Sequence, residues 1–195
     1  PSIECARAGV TTGEWSEVLR EVFGEYRAPT GIDISMSDQS SDALLAVRER
    51  VRSTGEELGR PLRLLLGKPG VDGHSNGAEQ IAVKGRDAGF EIVYEGIRLT
   101  PAQIARAAQE EGAHMIGLSV LSGSHLELVE DIHRELDKIG ASGLPLVIGG
   151  IIPEEDARQL QEQGVQAVFT PKDVDLNAIM NNMVDIIRRA NGLAA

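Results

Sequence analysis

The 195-residue chain has a single cysteine, Cys5, so no internal disulfide framework is available to it, and a reducing, cytoplasmic setting is expected. It lacks an excess of basic residues. The formal net charge is -11, which excludes the clustered Lys and Arg on which phosphate-backbone binding rests, so no nucleic-acid partner is expected. It has no apolar run near the ~20 residues that a membrane-spanning helix needs. Its first residues, Pro1-Ser2-Ile3-Glu4-Cys5, are neither basic nor continuously apolar and are unlike a signal peptide. With no initiator Met, the expectation is a processed product or a piece of a longer protein. Hydrophobic residues at 42% and charged residues at 25% are in the proportions of a folded domain, and the length allows a sizeable core.

Periodicity divides the chain at about residue 61. Before it, Thr11 and Glu14 have capping-box spacing ahead of an apolar stripe of Trp15, Val18, Leu19, Val22 and Phe23, which predicts a helix ending near Tyr26. Residues 27–41 read as a linker rich in Ser, Asp, Pro and Gly. A second helix is expected from about Ser41 to Leu58, with Leu44, Leu45, Val47 and Val51 as a sparse apolar face. Residues 1–60 are thus expected to be a helical segment and linker, and 61–195 the main domain.

After Pro61 strands and helices alternate. Strands are expected at Leu62–Leu66, Glu91–Tyr94, His114–Ser119, Leu144–Ile148 and Gln166–Phe169. Helices are expected at Gly77–Ala88, from Thr100-Pro101, from Ser124 to Lys138 behind a Ser124/Glu127 capping box, from Pro153, and over Leu176–Arg189. This order implies an α/β fold: a flavodoxin-like (Rossmann-like) five-stranded parallel sheet in the order 2-1-3-4-5, with helices on both faces.

In such sheets ligands bind outside the carboxyl ends of the strands, at the switch point beside strand 1. The loops there are residues 67–77, 119–124, 149–153 and 170–173. The first is long for a strand-to-helix connection and carries Lys68, Asp72 and His74. A carboxylate two residues from an imidazole can fix the ring tautomer and improve the other nitrogen as a metal ligand. A plain surface loop with a helix-capping Asp or Ser accounts for the same residues. His114, opening a strand, reads as a hydrogen-bonded core residue, and His133 as a solvated helix residue. His125 lies on the ligand edge, where a ligand contact and a capping role both fit.

Together these loops match the cobalamin-binding domains. Asp72-Gly73-His74-Ser75-Asn76-Gly77 resembles their D-x-H-x-x-G motif, Ser119-Val120-Leu121 their S-x-L, and Gly149-Gly150 their G-G, in order and after the expected strands. Within that group the chain resembles the acyl-CoA mutases, and most the ethylmalonyl-CoA branch. The likeness is carried by Gly67 to Gly70, Asp72 to Gln80, Gly96 to Pro101, Leu121-Ser122-Gly123-Ser124-His125, Gly149 to Pro153 and Thr170 to Asp173. The methylmalonyl-CoA branch is similar but differs around His125 and Lys172. The likeness spans about residues 61 to 190, and the first helix resembles the segment leaving the catalytic barrel.

The resemblance implies adenosylcobalamin as cofactor, with His74 the axial cobalt ligand in place of the dimethylbenzimidazole base. It implies that Asp72 accepts the other His74 N–H and Lys68 supports Asp72. The displaced nucleotide tail would occupy a slot beside strand 1, against Ser119, Leu121, Gly149 and Gly150. Gly123 would lie along it and Thr170 at its far end. In a full mutase the cofactor starts a carbon-skeleton rearrangement of an acyl-CoA bound in a (β/α)8 barrel, and the whole enzyme is expected to be a homodimer. A barrel needs ~250 residues, so no catalytic residue and no turnover are expected of this chain alone. A non-catalytic cobalamin carrier or sensor is the alternative. A phosphorelay receiver shares the expected fold, but it needs an acidic pair after strand 1 and an Asp where Ser119 stands.

Overall fold

The computed structural model describes residues 1–24, 42–71, 73, 74 and 76–194. The linker expected over 27–41, Asp72 and Ser75 lie outside the described residues. The chain forms two compact units, one N-terminal and one from Gln39 onward. The first contains helices α1 (Ser2–Arg7) and α2 (Thr12–Phe23). The Thr11/Glu14 capping box forms as the spacing requires: the Thr11 hydroxyl accepts from the Glu14 N–H at 3.2 Å, and the Glu14 carboxylate accepts from the Thr11 N–H at 2.9 Å.

The second unit opens with α3 (Asp42–Leu58) and continues as β1 (Arg63–Pro69), α4 (Asn76–Asp87), β2 (Glu91–Leu99), α5 (Pro101–Glu110), β3 (Met115–Ser119), α6 (His125–Lys138), β4 (Leu146–Gly149), α7 (Glu154–Glu162), β5 (Ala167–Phe169) and α8 (Leu176–Ala190). The five strands are parallel in the order β2-β1-β3-β4-β5. Alternation along the strands sorts the core into two layers. Leu64, Leu66, Met115 and Val147 face α3, α4 and α8, while Leu65, Ile116, Leu146 and Ile148 face α5, α6 and α7. Burial on both faces is why these strands are nearly all apolar.

Three features depart from the sequence reading. Helix α3 is part of the sheet unit: Leu44, Val47 and Val51 are at most 2% exposed and pack in the same core layer as Ile179, Met183 and Ile187 of α8. Arg50 pairs with Asp185, and Arg188 reaches Glu57 at 2.6 Å, joining the two helices at their rims. Strands β1 and β2 run further than their apolar stretches. Their added length pairs with register irregularities on both sides of Lys68 and includes Gly96 and Arg98 at positive φ (88° and 61°). The capping box at Thr100/Gln103 forms, but the one expected at Ser124/Glu127 does not. Ser124 has ψ 26°, outside the extended region a capping residue uses, and its hydroxyl lies 2.9 Å from that of Ser122 instead.

Candidate functional site

The carboxyl edge of the sheet is built by backbone hydrogen bonds that run from strand to strand. Where β1 ends, Gly70 turns the chain at φ 82° and donates its N–H to the Leu99 carbonyl at 3.1 Å. Val71, Gly73 and His74 follow in the exposed loop, and α4 begins at Asn76. Lys68, expected in that loop, is instead the penultimate residue of β1. It is fully buried, and its Nζ donates to the Ser119 carbonyl at 3.5 Å, linking the ends of β1 and β3.

From β3 the row continues. The Val120 N–H donates to the Gly149 carbonyl, and the Gly150 N–H donates to that of Phe169, each at 3.0 Å. The edge thus brings Lys68, Ser119, Leu121, Gly149, Gly150 and Thr170 into one continuous rim, with His74 on the loop leaving its first strand. Val120 is buried, whereas Leu121 is 38% exposed and offers an apolar surface to the outside. Thr170 is engaged in a turn: its N–H and hydroxyl both donate to the Asp173 carboxylate, at 2.7 and 3.1 Å.

The two glycines of the Gly149-Gly150 pair have different reasons to be glycine. A methyl group on Gly150 would lie 2.0 Å from the Val120 carbonyl oxygen, so this residue seats one loop on its neighbour. A methyl on Gly149 would meet only ordinary contacts, at 3.8 and 3.9 Å from the Phe169 and Leu118 oxygens. Packing within the chain does not require glycine at 149. Gly77 and Gly123 have open space where a side chain would begin.

The sequence did not single out Asp156. Its carboxylate lies 2.7 Å from His125 Nε2, and His125 is buried at the first position of α6. In the sequence Asp156 is one of three acids in the first turn of α7, where acids are ordinary, so nothing distinguished it. His114 is buried as expected. Its Nδ1 accepts the Arg63 N–H at 2.9 Å, and burial holds its pKa down to about 4. His133 departs from expectation: it is half-buried and desolvation lowers its pKa.

Two hollows are lined by no residue of this rim or of the loop carrying His74. One of about 360 Å³ sits at the amino ends of the strands, lined by Arg60, His114 and Pro145. The other, about 390 Å³, lies between β2 and α5, around Leu99 and Gln103. Neither adjoins the switch point, where an open sheet of this order binds its ligand. Among the described residues no three His, Cys, Asp or Glu side chains converge as a metal cage, and none is long and apolar enough as a helix to cross a membrane.

Residues 62–180 match the B12 binding domain. The chain is 53% identical to ethylmalonyl-CoA mutase of Cereibacter sphaeroides over 188 residues, covering 96% of this chain and 28% of that protein. Against the methylmalonyl-CoA mutase large subunit of Propionibacterium freudenreichii it is 37% identical over 176 residues, covering 88% of this chain and 24% of that subunit. The chain therefore spans about a quarter of the length of these relatives. Among solved structures, a cobalamin-binding protein from Desulfitobacterium hafniense superposes with a TM-score of 0.55 at 19% identity, covering 88% of this chain and 75% of that one. A signal receiver domain of a putative LuxO repressor protein from Vibrio parahaemolyticus gives 0.50 at 14% identity over 67% of this chain and 92% of that one. At these identities the two structures share the fold.

Proposed function

This chain belongs to the B12-binding domain family, and we propose that it holds adenosylcobalamin for an acyl-CoA mutase, with His74 as the lower ligand to cobalt. The observation that carries the reading is the exposure of the His74 imidazole on the loop leaving β1, at the switch-point edge. The donor chemistry fits. A cobalt already held by a corrin ring asks the protein for one further donor, and a neutral imidazole nitrogen is the commonest such ligand. In this reading Asp72 accepts the other ring N–H and fixes the tautomer. Lys68 puts positive charge behind that carboxylate.

The rim residues take the nucleotide tail. Gly149 leaves the space over the end of β4 free, Leu121 supplies an apolar wall, and the Ser119 hydroxyl is available to the displaced base. Gly73, Ser75, Asn76 and Gly77 shape the loop around His74, while Gly123 and Thr170 border the slot at its outer parts. When bound, the cofactor supplies a cobalt–carbon bond whose homolysis starts a carbon-skeleton rearrangement. The chain holds and orients it and keeps the tail apart from the metal. The acyl-CoA itself requires a barrel of ~250 residues, which 195 residues that already form this sheet cannot include. Identity of 53% to an ethylmalonyl-CoA mutase against 37% to a methylmalonyl-CoA mutase subunit supports placing the chain in the ethylmalonyl-CoA branch of these enzymes.

Optical titration with a cobalamin tests the reading. The unaltered chain is expected to shift the spectrum to that of a base-off, imidazole-ligated form, and His74→Ala to lose the shift. The same spectrum from both chains would remove His74 from cobalt.

A further inference from the structure

We infer that the buried His125–Asp156 pair is a positioning device for the nucleotide-tail slot, setting the separation of its two loop walls. The inference rests on the slot reading above and concerns what holds that slot in shape. One wall, residues 119–124, leads directly into α6, whose first residue is His125. The other, residues 149–153, leads directly into α7, whose third residue is Asp156. The 2.7 Å contact between His125 Nε2 and the Asp156 carboxylate therefore closes a ring: up one wall, across the pair, down the other wall, and back through the Val120 N–H bond to Gly149.

The position of the pair gives it strength. The His125 side chain is 3% exposed and that of Asp156 28%, so the bond is largely shielded from water. Leu126 and Ala157, the next residues on each helix, pack against the same core layer. Nε2 faces a carboxylate and so donates. Among the described residues the buried Nδ1 makes no hydrogen bond, so the Asp156 carboxylate is the polar partner that orients the His125 ring. The α6 end of the wall also lacks the capping bond that its sequence offers, since Ser124 turns to Ser122. With no side-chain cap at the start of α6, the cross-link to α7 anchors the far end of the Ser119–Ser124 wall, whose near end is held by the Lys68 bond to Ser119 and the Val120 bond to Gly149.

A comparison of two corrinoids isolates this role. Cobalamin carries the nucleotide tail, and cobinamide has the same corrin ring without it. Asp156 is partly exposed and is not one of the apolar residues of the core layer, so Asp156→Ala removes the carboxylate without deleting a core side chain. For this variant of the full chain, cobalamin affinity is expected to fall about tenfold while cobinamide affinity changes less than about twofold. His125→Ala is expected to give the same loss, and the double variant no more than either alone. His125→Gln, which restores a donor near the Nε2 position, is expected to recover most of it. A lowered melting temperature with an unchanged cobalamin-to-cobinamide ratio would overturn the inference, as would an equal loss for both corrinoids. If the unaltered chain showed no preference for the tailed corrinoid, the slot reading would fail and this role with it. A clear preference that Asp156→Ala leaves intact would remove the positioning role alone.

Discussion

Replacing Gly150 with Ala tests how the carboxyl edge is assembled. The added methyl would stand 2.0 Å from the Val120 carbonyl oxygen. Real contacts of this kind do not fall below 3.0 Å, so the two loops must separate by about 1 Å or more. The obstacle is backbone, so no rotamer change relieves it. The Val120 N–H bond to Gly149 and the Gly150 N–H bond to Phe169, each 3.0 Å, lie at the point of separation. Overpacking costs about 1–3 kcal/mol, and weakening two hydrogen bonds about 1 kcal/mol each. A loss of about 3–5 kcal/mol is expected. For a chain this size that lowers the melting temperature by about 10 °C. Gly149→Ala is the control. Its methyl meets nothing closer than 3.8 Å, so stability is expected to hold within about 0.5 kcal/mol, while cobalamin affinity falls because the slot is narrowed. Urea or thermal unfolding followed by circular dichroism measures both. If Gly150→Ala were as stable as the unaltered chain, the close seating of the two loops would be refuted.

Other perturbations give equally direct outcomes. Compared with a chain starting at residue 39, one starting at Pro61 is expected to lose cooperative unfolding, because the buried Leu44, Val47 and Val51 go with α3. Leu44→Ala alone is expected to cost about 2–5 kcal/mol, and a smaller loss than 1 kcal/mol in urea denaturation would contradict the packing of α3. His114 is held at a pKa of about 4 against the usual 6.5, so the unfolded chain binds its proton first. Its contribution to stability is complete above pH 6.5 and is lost as pH falls toward 4. His114→Asn, which can still accept the Arg63 N–H, is expected to flatten the pH dependence of the melting temperature in that window, leaving the smaller contribution of His133. An unchanged profile would show that His114 is not the titrating group.

The parts of the fold legible in the sequence were those where one physical signal dominates. Leu64, Leu65 and Leu66 announce a strand buried on both faces, and Thr100-Pro101 with Gln103 announces a helix start; both are where they were expected. Signals failed where backbone pairing or neighbours decide. Gly67, Lys68 and Pro69 carry no apolar pattern, yet hydrogen bonding to β2 and β3 extends β1 through them. The sparse apolar face of α3 predicted the helix but not its place in the sheet unit, where α8 and the sheet cover Leu44, Val47 and Val51 together. Ser124 and Glu127 have the right types and spacing for a cap. The turn at Gly123, φ 73°, delivers Ser124 in a conformation that cannot make one. The rim residues could be found because they stand in short motifs after strands. Asp156 could not, since its partner is 31 residues away and its own surroundings are those of any helix start.

The same fold also separates chemistries at this edge by charge. A receiver domain, which shares the fold, needs acids after the first and third strands. Here the end of β1 is occupied by a buried lysine, and its ammonium points to the carbonyl of Ser119 at the end of β3. Positive charge at that location opposes a bare divalent cation, whose ligands would be carboxylates drawn from the same two loops. In the function proposed above, that charge would stand behind Asp72 and, through it, the His74 imidazole. The proposed cofactor is compatible with such an edge, because its metal would arrive already enclosed in a ring of nitrogens and would ask the protein for no carboxylate. His74, exposed on the loop that leaves β1, is the side chain of that type at the switch point.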